Sequence, residues 1–133
     1  MASPKVVLVN GCFDPFHYGH LLHFEAAKKM GTWLVVSVTI DSEVNKPNRP
    51  IFSHKQRAKV IKALRCVDQV ITVRGPLQAF RKVKPDIFVK GIEYFGKIKP
   101  YHRAYCDKHG IEIRFTNKKV YSSTKILDEL RRG

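Results

Sequence analysis

Short apolar runs alternate with helical stretches along this 133-residue chain, and this alternation constrains the fold more than any other feature. Residues 33–40 form a run of eight, rich in β-branched side chains, with the length and composition of a strand buried in a parallel sheet. Four further strands are predicted, at residues 5–9, 69–73, 87–89 and 111–115.

Helices are predicted between these strands. Ser53, with Gln56 three positions later, forms a capping box typical of a helix start. The predicted helices cover residues 18–30, 53–65, 76–83 and 101–109, with a last one from residue 122 or 123 to about residue 131. This order predicts an α/β fold, a Rossmann-like doubly wound five-stranded parallel sheet with helices on both faces, formed by one domain of residues 1–133. We expect a ligand beyond the carboxyl ends of the strands, where the strand order reverses.

The formal net charge of +14 is the one unusual bulk property. A basic surface attracts phosphorylated metabolites, nucleic acids and acidic membranes alike, so charge alone does not choose a partner. No apolar run approaches the roughly 18 residues that span a membrane, and the amino terminus leads straight into a strand. Three scattered cysteines, Cys12, Cys66 and Cys106, favour reduced thiols. We therefore expect a cytoplasmic protein with no membrane partner.

Residues 9–20 combine a strand end, a glycine turn and a helix start that carries His17 and His20. Histidines three positions apart can face one side of a helix, and Gly19 between them leaves room for a base or ribose. The helix start adds partial positive charge towards phosphate. These features predict a nucleoside triphosphate site. Cys12 is interpreted as a small filler of the turn rather than as a nucleophile.

Two histidine sets have spacings that zinc could use, namely His17, His20 and His23, and His102, Cys106 and His109. Neither set has an evident further ligand. We therefore predict no metal site made by the protein.

The turn fits the pattern GxFDxxHxGH through Gly11, Phe13, Asp14 and the two histidines. It resembles the HxGH element of the nucleotidyltransferase superfamily. The resemblance implies that His17 and His20 are catalytic and that Asp14 lies by the acceptor and the transferred phosphate. It also implies nucleotide or phosphate contacts around the turn, at Gly11, Cys12, Phe13 and Gly19.

Two later stretches carry the resemblance further. Residues 86–94 resemble the PDxxVKGxDY stretch in the nucleotidyltransferase domain of heptose-phosphate synthases, which implies that Gly91 and Glu93 lie near the base and ribose, with Lys90 close by. Ser122, Ser123 and Thr124 begin the last predicted helix, where hydroxyls can bond phosphate oxygens.

The serine-threonine run resembles the SSTxI element that holds β- and γ-phosphates in this superfamily. Leu127 stands where the pantetheine-phosphate and nicotinamide-mononucleotide branches place an arginine, which favours the glycerol-phosphate and heptose-phosphate branches.

The region between these elements resembles the flexible loop of the superfamily. Lys46 and the pair Arg49–Pro50 match its lysine and RP, which implies that Lys46 reaches the phosphates. Arg57, in a QR pair, is expected to contact the triphosphate or the acceptor. The acceptor pocket would draw on Asp14, Phe16 and residues 41–57.

The resemblance spans residues 7–130 and implies a magnesium-dependent enzyme, with Mg²⁺ carried by the nucleoside triphosphate. Such an enzyme joins a nucleotide, from ATP or CTP, to a phosphorylated sugar or polyol and releases pyrophosphate. A heptose phosphate or related sugar phosphate is favoured over glycerol 3-phosphate, and a homodimer is implied. Two alternatives stay open, an FAD synthetase that adenylates FMN and an inactive basic module that binds nucleotides or nucleic acid. For the leading hypothesis no nucleic-acid partner is expected.

Overall fold

The computed structural model describes residues 4–117 and 130–131. Its strands form a single five-stranded sheet in the order β3-β2-β1-β4-β5, and every neighbouring pair is parallel. The strands are β1 (Val6–Gly11), β2 (Trp33–Thr39), β3 (Gln69–Val73), β4 (Ile87–Gly91) and β5 (Glu112–Thr116). The predicted doubly wound fold is confirmed.

Helices cover both faces of this sheet. They are α1 (Tyr18–Lys28), α2 (His54–Lys62), α3 (Pro76–Val83) and α4 (Pro100–His109), with short 3₁₀ turns at Asp41–Glu43 and Ile92–Tyr94. Successive residues of β1 point to opposite faces, so Val7 joins the core beneath α1 and α2, whereas Leu8 joins the core beneath α3 and α4. The sheet is therefore buried on both sides, as its near-continuous apolar strands require.

The strand ends near the predicted site run further than the sequence indicated. β1 continues to Gly11 because Asn10 and Gly11 still pair with β2, and Asn10 Nδ2 donates to Ser37 Oγ at 2.7 Å. β4 continues through Lys90 to Gly91, which pairs with Thr116 of β5. Both extensions carry predicted site residues onto the rigid sheet itself.

Helix boundaries also differ from the prediction, and α4 begins at Pro100 rather than at residue 101. α1 ends at Lys28 rather than at residue 30, and α2 ends at Lys62, with Ala63 as its C-cap, rather than at residue 65. The capping box of Ser53 and Gln56 is present as predicted. The last predicted helix lies outside the described residues, apart from Leu130 and Arg131, which are helical.

The winding of the sheet reverses at β1. The chain passes from β1 to β2 and β3 on one side, then crosses to β4 and β5 on the other. The carboxyl ends of β1 and β4 therefore meet at the edge where ligands bind in such sheets. In the parts of the chain that the structure covers, no helix has the length and apolar character needed to cross a membrane.

Candidate active site

The turn after β1 is shaped by Phe13. Its φ of 54° lies in the left-handed region, which is unusual for a bulky side chain and strained. The ring folds back over Gly11, where a Cβ atom would lie 2.7 Å from it. The same ring meets the His20 imidazole edge-on, with centroids 5.1 Å apart. Gly11 thus makes room for Phe13, and Phe13 supports a histidine from behind.

His17 and His20 cap helix α1 reciprocally. The backbone N–H of Gly19 donates to Nδ1 of His17 at 3.1 Å, and the backbone N–H of His17 donates to Nδ1 of His20 at 3.2 Å. These bonds satisfy donors that a helix start leaves without intrahelical partners. They also orient both imidazole rings, which stack with centroids 3.7 Å apart.

The caps fix the tautomer of both rings, and burial keeps both rings neutral. Because each Nδ1 accepts a hydrogen bond, each neutral imidazole carries its proton on Nε2. Burial lowers the pKa of His17. Burial, followed by the nearby charges of His17, His23 and Lys46, lowers the pKa of His20 to about 3. At neutral pH both side chains are therefore uncharged Nε2–H donors.

One of these donors has an unmet hydrogen-bonding requirement. Nε2 of His17 is buried and has no hydrogen-bond partner among the described residues. A buried unpaired donor is costly and uncommon in a folded protein. An anionic oxygen placed against the stacked histidines would satisfy it.

Asp14 fixes the far end of the loop between β2 and α2. It is 2% exposed, and its two carboxylate oxygens accept from the backbone N–H groups of Ile51 and Phe52, at 2.7 and 3.1 Å. Both oxygens are therefore engaged with the protein, so Asp14 holds the loop against the histidine turn. A contact with the acceptor, which the sequence implied, would be made from this anchored position.

Arg57 faces the protein interior rather than a substrate pocket. It is 3% exposed, and its guanidinium donates to three backbone carbonyls, those of Phe52, Cys12 and Thr39. It also donates to Asp41 Oδ1 at 2.7 Å. The guanidinium thus joins the glycine turn, the end of β2 and the loop, and the substrate contact expected for Arg57 stays a prediction.

Cys12 in the glycine turn and Lys46 in the loop between β2 and α2 complete this side of the site. The Cys12 thiol is free and half-buried, while the Cys12 carbonyl accepts from Arg57 at 2.7 Å. Lys46 is exposed in the loop, and its charge helps lower the pKa of His20. The Lys46 ammonium is therefore near enough to the histidine turn for its charge to act on His20.

The end of β4 forms the opposite side of the site. The Lys90 ammonium lies 4.2 Å from the centroid of the Tyr94 ring. Burial lowers the pKa of Lys90, and the Glu93 carboxylate opposes that shift. The Glu93 carboxylate folds against Gly91, where any Cβ atom would collide with it. Gly91 and Glu93 thus form one compact edge beside the lysine.

Sequence reasoning missed the partner of His23. The sequence suggests only a zinc-ligand role for His23, yet its Nδ1 lies 2.9 Å from the Thr116 hydroxyl, in the core between α1 and β5. The available signal was a histidine at a helix position where an apolar residue would be expected.

The structure therefore brings most of the predicted residues to the carboxyl edges of β1 and β4, namely Gly11, Cys12, Phe13, Asp14, His17, Gly19, His20, Lys90, Gly91 and Glu93. Arg57 lies behind the turn. Ser122, Ser123 and Thr124 lie outside the described residues, so their expected role stays a prediction. Two neutral donors, two lysines and a helix N-terminus can hold a polyanion and stabilise charge on its oxygens.

Residues 8–129 of the chain match a family model that is described as cytidylyltransferase-like. A bifunctional protein HldE from Helicobacter pylori strain HPAG1 is 34% identical over 133 residues, covering 96% of this chain and 28% of the relative. HldE from Gluconobacter oxydans strain 621H is 45% identical over 95 residues, covering 68% of the chain and 20% of the relative. The chain thus spans less than a third of the length of these curated relatives.

Two solved structures share the fold of this chain. A lipopolysaccharide core biosynthesis protein from Thermoplasma volcanium superposes with a TM-score of 0.73 at 30% identity, covering 88% of this chain and 100% of that one. Pantothenate synthetase from Thermus thermophilus gives a TM-score of 0.58 at 18% identity, covering 96% and 64%. The second likeness extends to the fold alone.

Proposed function

Because this chain belongs to the cytidylyltransferase-like family of nucleotidyltransferases, we propose that it transfers a nucleoside monophosphate from ATP or CTP to a phosphorylated sugar or polyol. Pyrophosphate is the second product. The observation that carries this proposal is the stacked pair of His17 and His20, whose Nδ1 atoms are occupied by backbone donors. Both Nε2–H groups are thereby left for phosphate oxygens.

The reaction requires one bond to form and one to break. A phosphate oxygen of the acceptor attacks the α-phosphorus, and the bond from that phosphorus to the oxygen bridging the β-phosphate breaks. The electron pair leaves with pyrophosphate. The acceptor oxygen is already ionised at neutral pH, so no side chain has to remove a proton.

The residues of the site act by position and charge. His17 and His20 donate to the non-bridging oxygens as negative charge is redistributed in the transition state. Lys46 approaches the phosphates from the loop. Gly91 and Glu93 hold the ribose and base, with Lys90 beside them. Ser122, Ser123 and Thr124 are proposed to bind the β- and γ-phosphates, as the family resemblance implies.

Magnesium enters this proposal as part of the substrate, the Mg²⁺–nucleoside triphosphate complex. Within residues 4–117 and 130–131, no group of three or more His, Cys, Asp or Glu side chains is placed to hold a metal ion. In this proposal the triphosphate oxygens and water molecules hold the ion. Neither nucleic acid nor membrane is a proposed partner.

Two properties of the whole protein belong to the same proposal. A homodimer is implied by the family resemblance, and sedimentation of the purified chain would test it. A cytoplasmic location is supported by the free thiols of Cys12, Cys66 and Cys106 and by the need for nucleoside triphosphate.

Among acceptors, a heptose phosphate or a related sugar phosphate is favoured over glycerol 3-phosphate. Residues 86–94 resemble the corresponding stretch of heptose-phosphate synthases. The likeness to a lipopolysaccharide core biosynthesis protein, at 30% identity, supports the same class. Pyrophosphate release with each nucleotide in turn distinguishes ATP from CTP as the donor.

The testing experiment measures pyrophosphate release with Mg²⁺, crossing the four nucleoside triphosphates with sugar 1-phosphates, glycerol 3-phosphate and FMN. The test variant is His17→Asn. Asparagine is a favoured N-cap, so this substitution removes the imidazole and preserves the helix start. We expect one nucleotide–sugar phosphate pair to be active and the variant to lose that activity. Activity with FMN alone would contradict the proposed acceptor. Equal activity in the variant would contradict the proposed site.

A further inference from the structure

A buried polar pair lies directly behind the proposed site. His23 is 7% exposed and Thr116 is 1% exposed, and Nδ1 of the histidine lies 2.9 Å from the threonine hydroxyl. The two residues are 93 positions apart in the sequence. Their hydrogen bond therefore joins distant parts of the chain.

The bond connects the two halves of the site. His23 lies on α1, the helix that begins with the donors His17 and His20. Thr116 is the last residue of β5 and is paired in register with Gly91 of β4. One hydrogen bond thus links the helix that presents the phosphate donors to the strand pair that presents the Gly91–Glu93 edge.

An apolar pair would fill this space without the desolvation of two polar groups. Phe24, the neighbour of His23 on α1, is fully buried in the core. A buried polar pair is tolerated when its members bond each other, and such a bond is directional. Burial and the charge of Lys90 lower the pKa of His23 to about 4, so the imidazole stays neutral beside that lysine. The hydrogen bond therefore defines the distance between α1 and β5, which apolar contacts alone would define less closely.

We propose that the His23–Thr116 hydrogen bond is a positioning link for the nucleotide. It fixes the separation between the histidine donors, which take the phosphates, and the Gly91–Glu93 edge, which takes the ribose and base. Neither member of the pair is a catalytic residue, since both act through the elements that they join. This inference rests on the proposed function, because it concerns how the same nucleotide is held.

The experiment compares a whole nucleotide with its phosphate part. Wild-type protein is titrated calorimetrically with Mg²⁺–ATP, Mg²⁺–CTP and Mg²⁺–tripolyphosphate, and the tighter nucleotide is used for the variants. Thr116→Val removes the hydroxyl and keeps the side-chain shape. We expect its Kd for the nucleotide to rise about tenfold, the scale of one lost hydrogen bond. We expect its Kd for tripolyphosphate to stay within about twofold, because that ligand engages only the phosphate donors.

Three further variants separate positioning from stability. His23→Leu/Thr116→Val removes both polar partners, so thermal stability recovers while nucleotide affinity stays low. Thr116→Ser keeps the hydroxyl and restores most of the nucleotide affinity. Thr72→Val makes the same substitution on β3, at the opposite edge of the sheet, and is expected to alter neither Kd.

Each contrary outcome identifies what has failed. If Thr116→Val binds the nucleotide like wild type, or loses both ligands equally, the positioning role is wrong and the proposed function stands. If the double variant regains nucleotide affinity together with stability, the pair is merely structural. If wild-type protein binds no nucleotide more tightly than tripolyphosphate, the proposed nucleotide site fails and this inference fails with it.

Discussion

The backbone N–H of His17 donates to Nδ1 of His20, 3.2 Å away. This hydrogen bond caps the N-terminus of helix α1, and it places the proton of the neutral His20 imidazole on Nε2. The functional group of the site is thus also part of the local fold. Substitutions at these histidines must preserve the cap if they are to report on chemistry.

His20→Gln meets that requirement, because glutamine is favoured at the third helical position, where its side-chain oxygen accepts from the N-cap N–H. We expect kcat to fall at least about 100-fold, the scale for loss of one transition-state donor. The melting temperature should change little. Steady-state pyrophosphate release and thermal unfolding measure the two effects. His20→Ala, which also loses the cap, should show the same loss of kcat with a lower melting temperature.

The buried His23 should make stability depend on pH. Its pKa is about 4 in the folded protein, against 6.5 as its ordinary value. Above pH 6.5 neither state binds the proton. As the pH falls from 6.5 towards 4, the unfolded chain takes up a proton that the folded protein does not, so the free energy of unfolding decreases. At pH 5 this loss amounts to about 2 kcal/mol.

Urea unfolding at pH 7 and pH 5 measures this effect, with His23→Leu as the comparison. The variant should lose less stability between the two pH values, since it has no imidazole to protonate on unfolding. His20, whose pKa of about 3 is set first by burial, is present in both proteins, so its contribution largely cancels. An identical pH dependence in both proteins would show that His23 titrates normally when folded.

Arg57→Lys tests whether this residue supports the site or contacts the substrate. Lysine cannot reproduce the planar array that reaches the carbonyls of Cys12, Thr39 and Phe52. We expect the free energy of unfolding to fall by about 2–4 kcal/mol, because buried acceptors lose a charged donor. Urea unfolding measures it. A normal stability combined with a large rise in KM would instead favour direct substrate contact.

Lys46→Ala should affect nucleotide use without affecting the fold, because the residue is exposed in the loop. We expect KM for the nucleoside triphosphate to rise several-fold, as one favourable charge is lost. The melting temperature should be unchanged. Lys59→Ala is the matched control, because it removes the same charge from the exposed surface of α2. If both substitutions raise KM equally, Lys46 acts only through the overall positive charge of the protein.

Local signals explain which parts of the molecule could be predicted. The β-branched residues of β2 and the proline at the start of α3 identify their elements without reference to the rest of the chain. The GxFDxxHxGH spacing likewise located the turn, because its residues are neighbours in sequence. The carboxyl extension of β4 was missed because Lys90 and Gly91 are strand residues only through their pairing with β5.

The inward direction of Arg57 could not be foreseen for a related reason. A QR pair at a helix start is compatible with either a pocket or a core. What decides is the presence of carbonyls 45 and 18 positions away, which only the tertiary fold supplies. The pairing of His23 with Thr116 depends on the same kind of information. Its partner belongs to the last strand of the sheet, and no local pattern points to it.

The loop between β2 and α2 is held at both ends. Asp41 receives the Arg57 guanidinium at one end, and Ile51 and Phe52 donate to Asp14 at the other. Asp14 and Arg57, which hold the two ends of the loop, both lie outside residues 42–50. Residues 42–50 can therefore be replaced as a unit. A stretch of different length or composition, grafted between the same attachment points, would leave the histidine turn undisturbed. New acceptors can therefore be sought by transplanting this loop with Lys46 retained, because the histidine turn lies outside the exchanged residues.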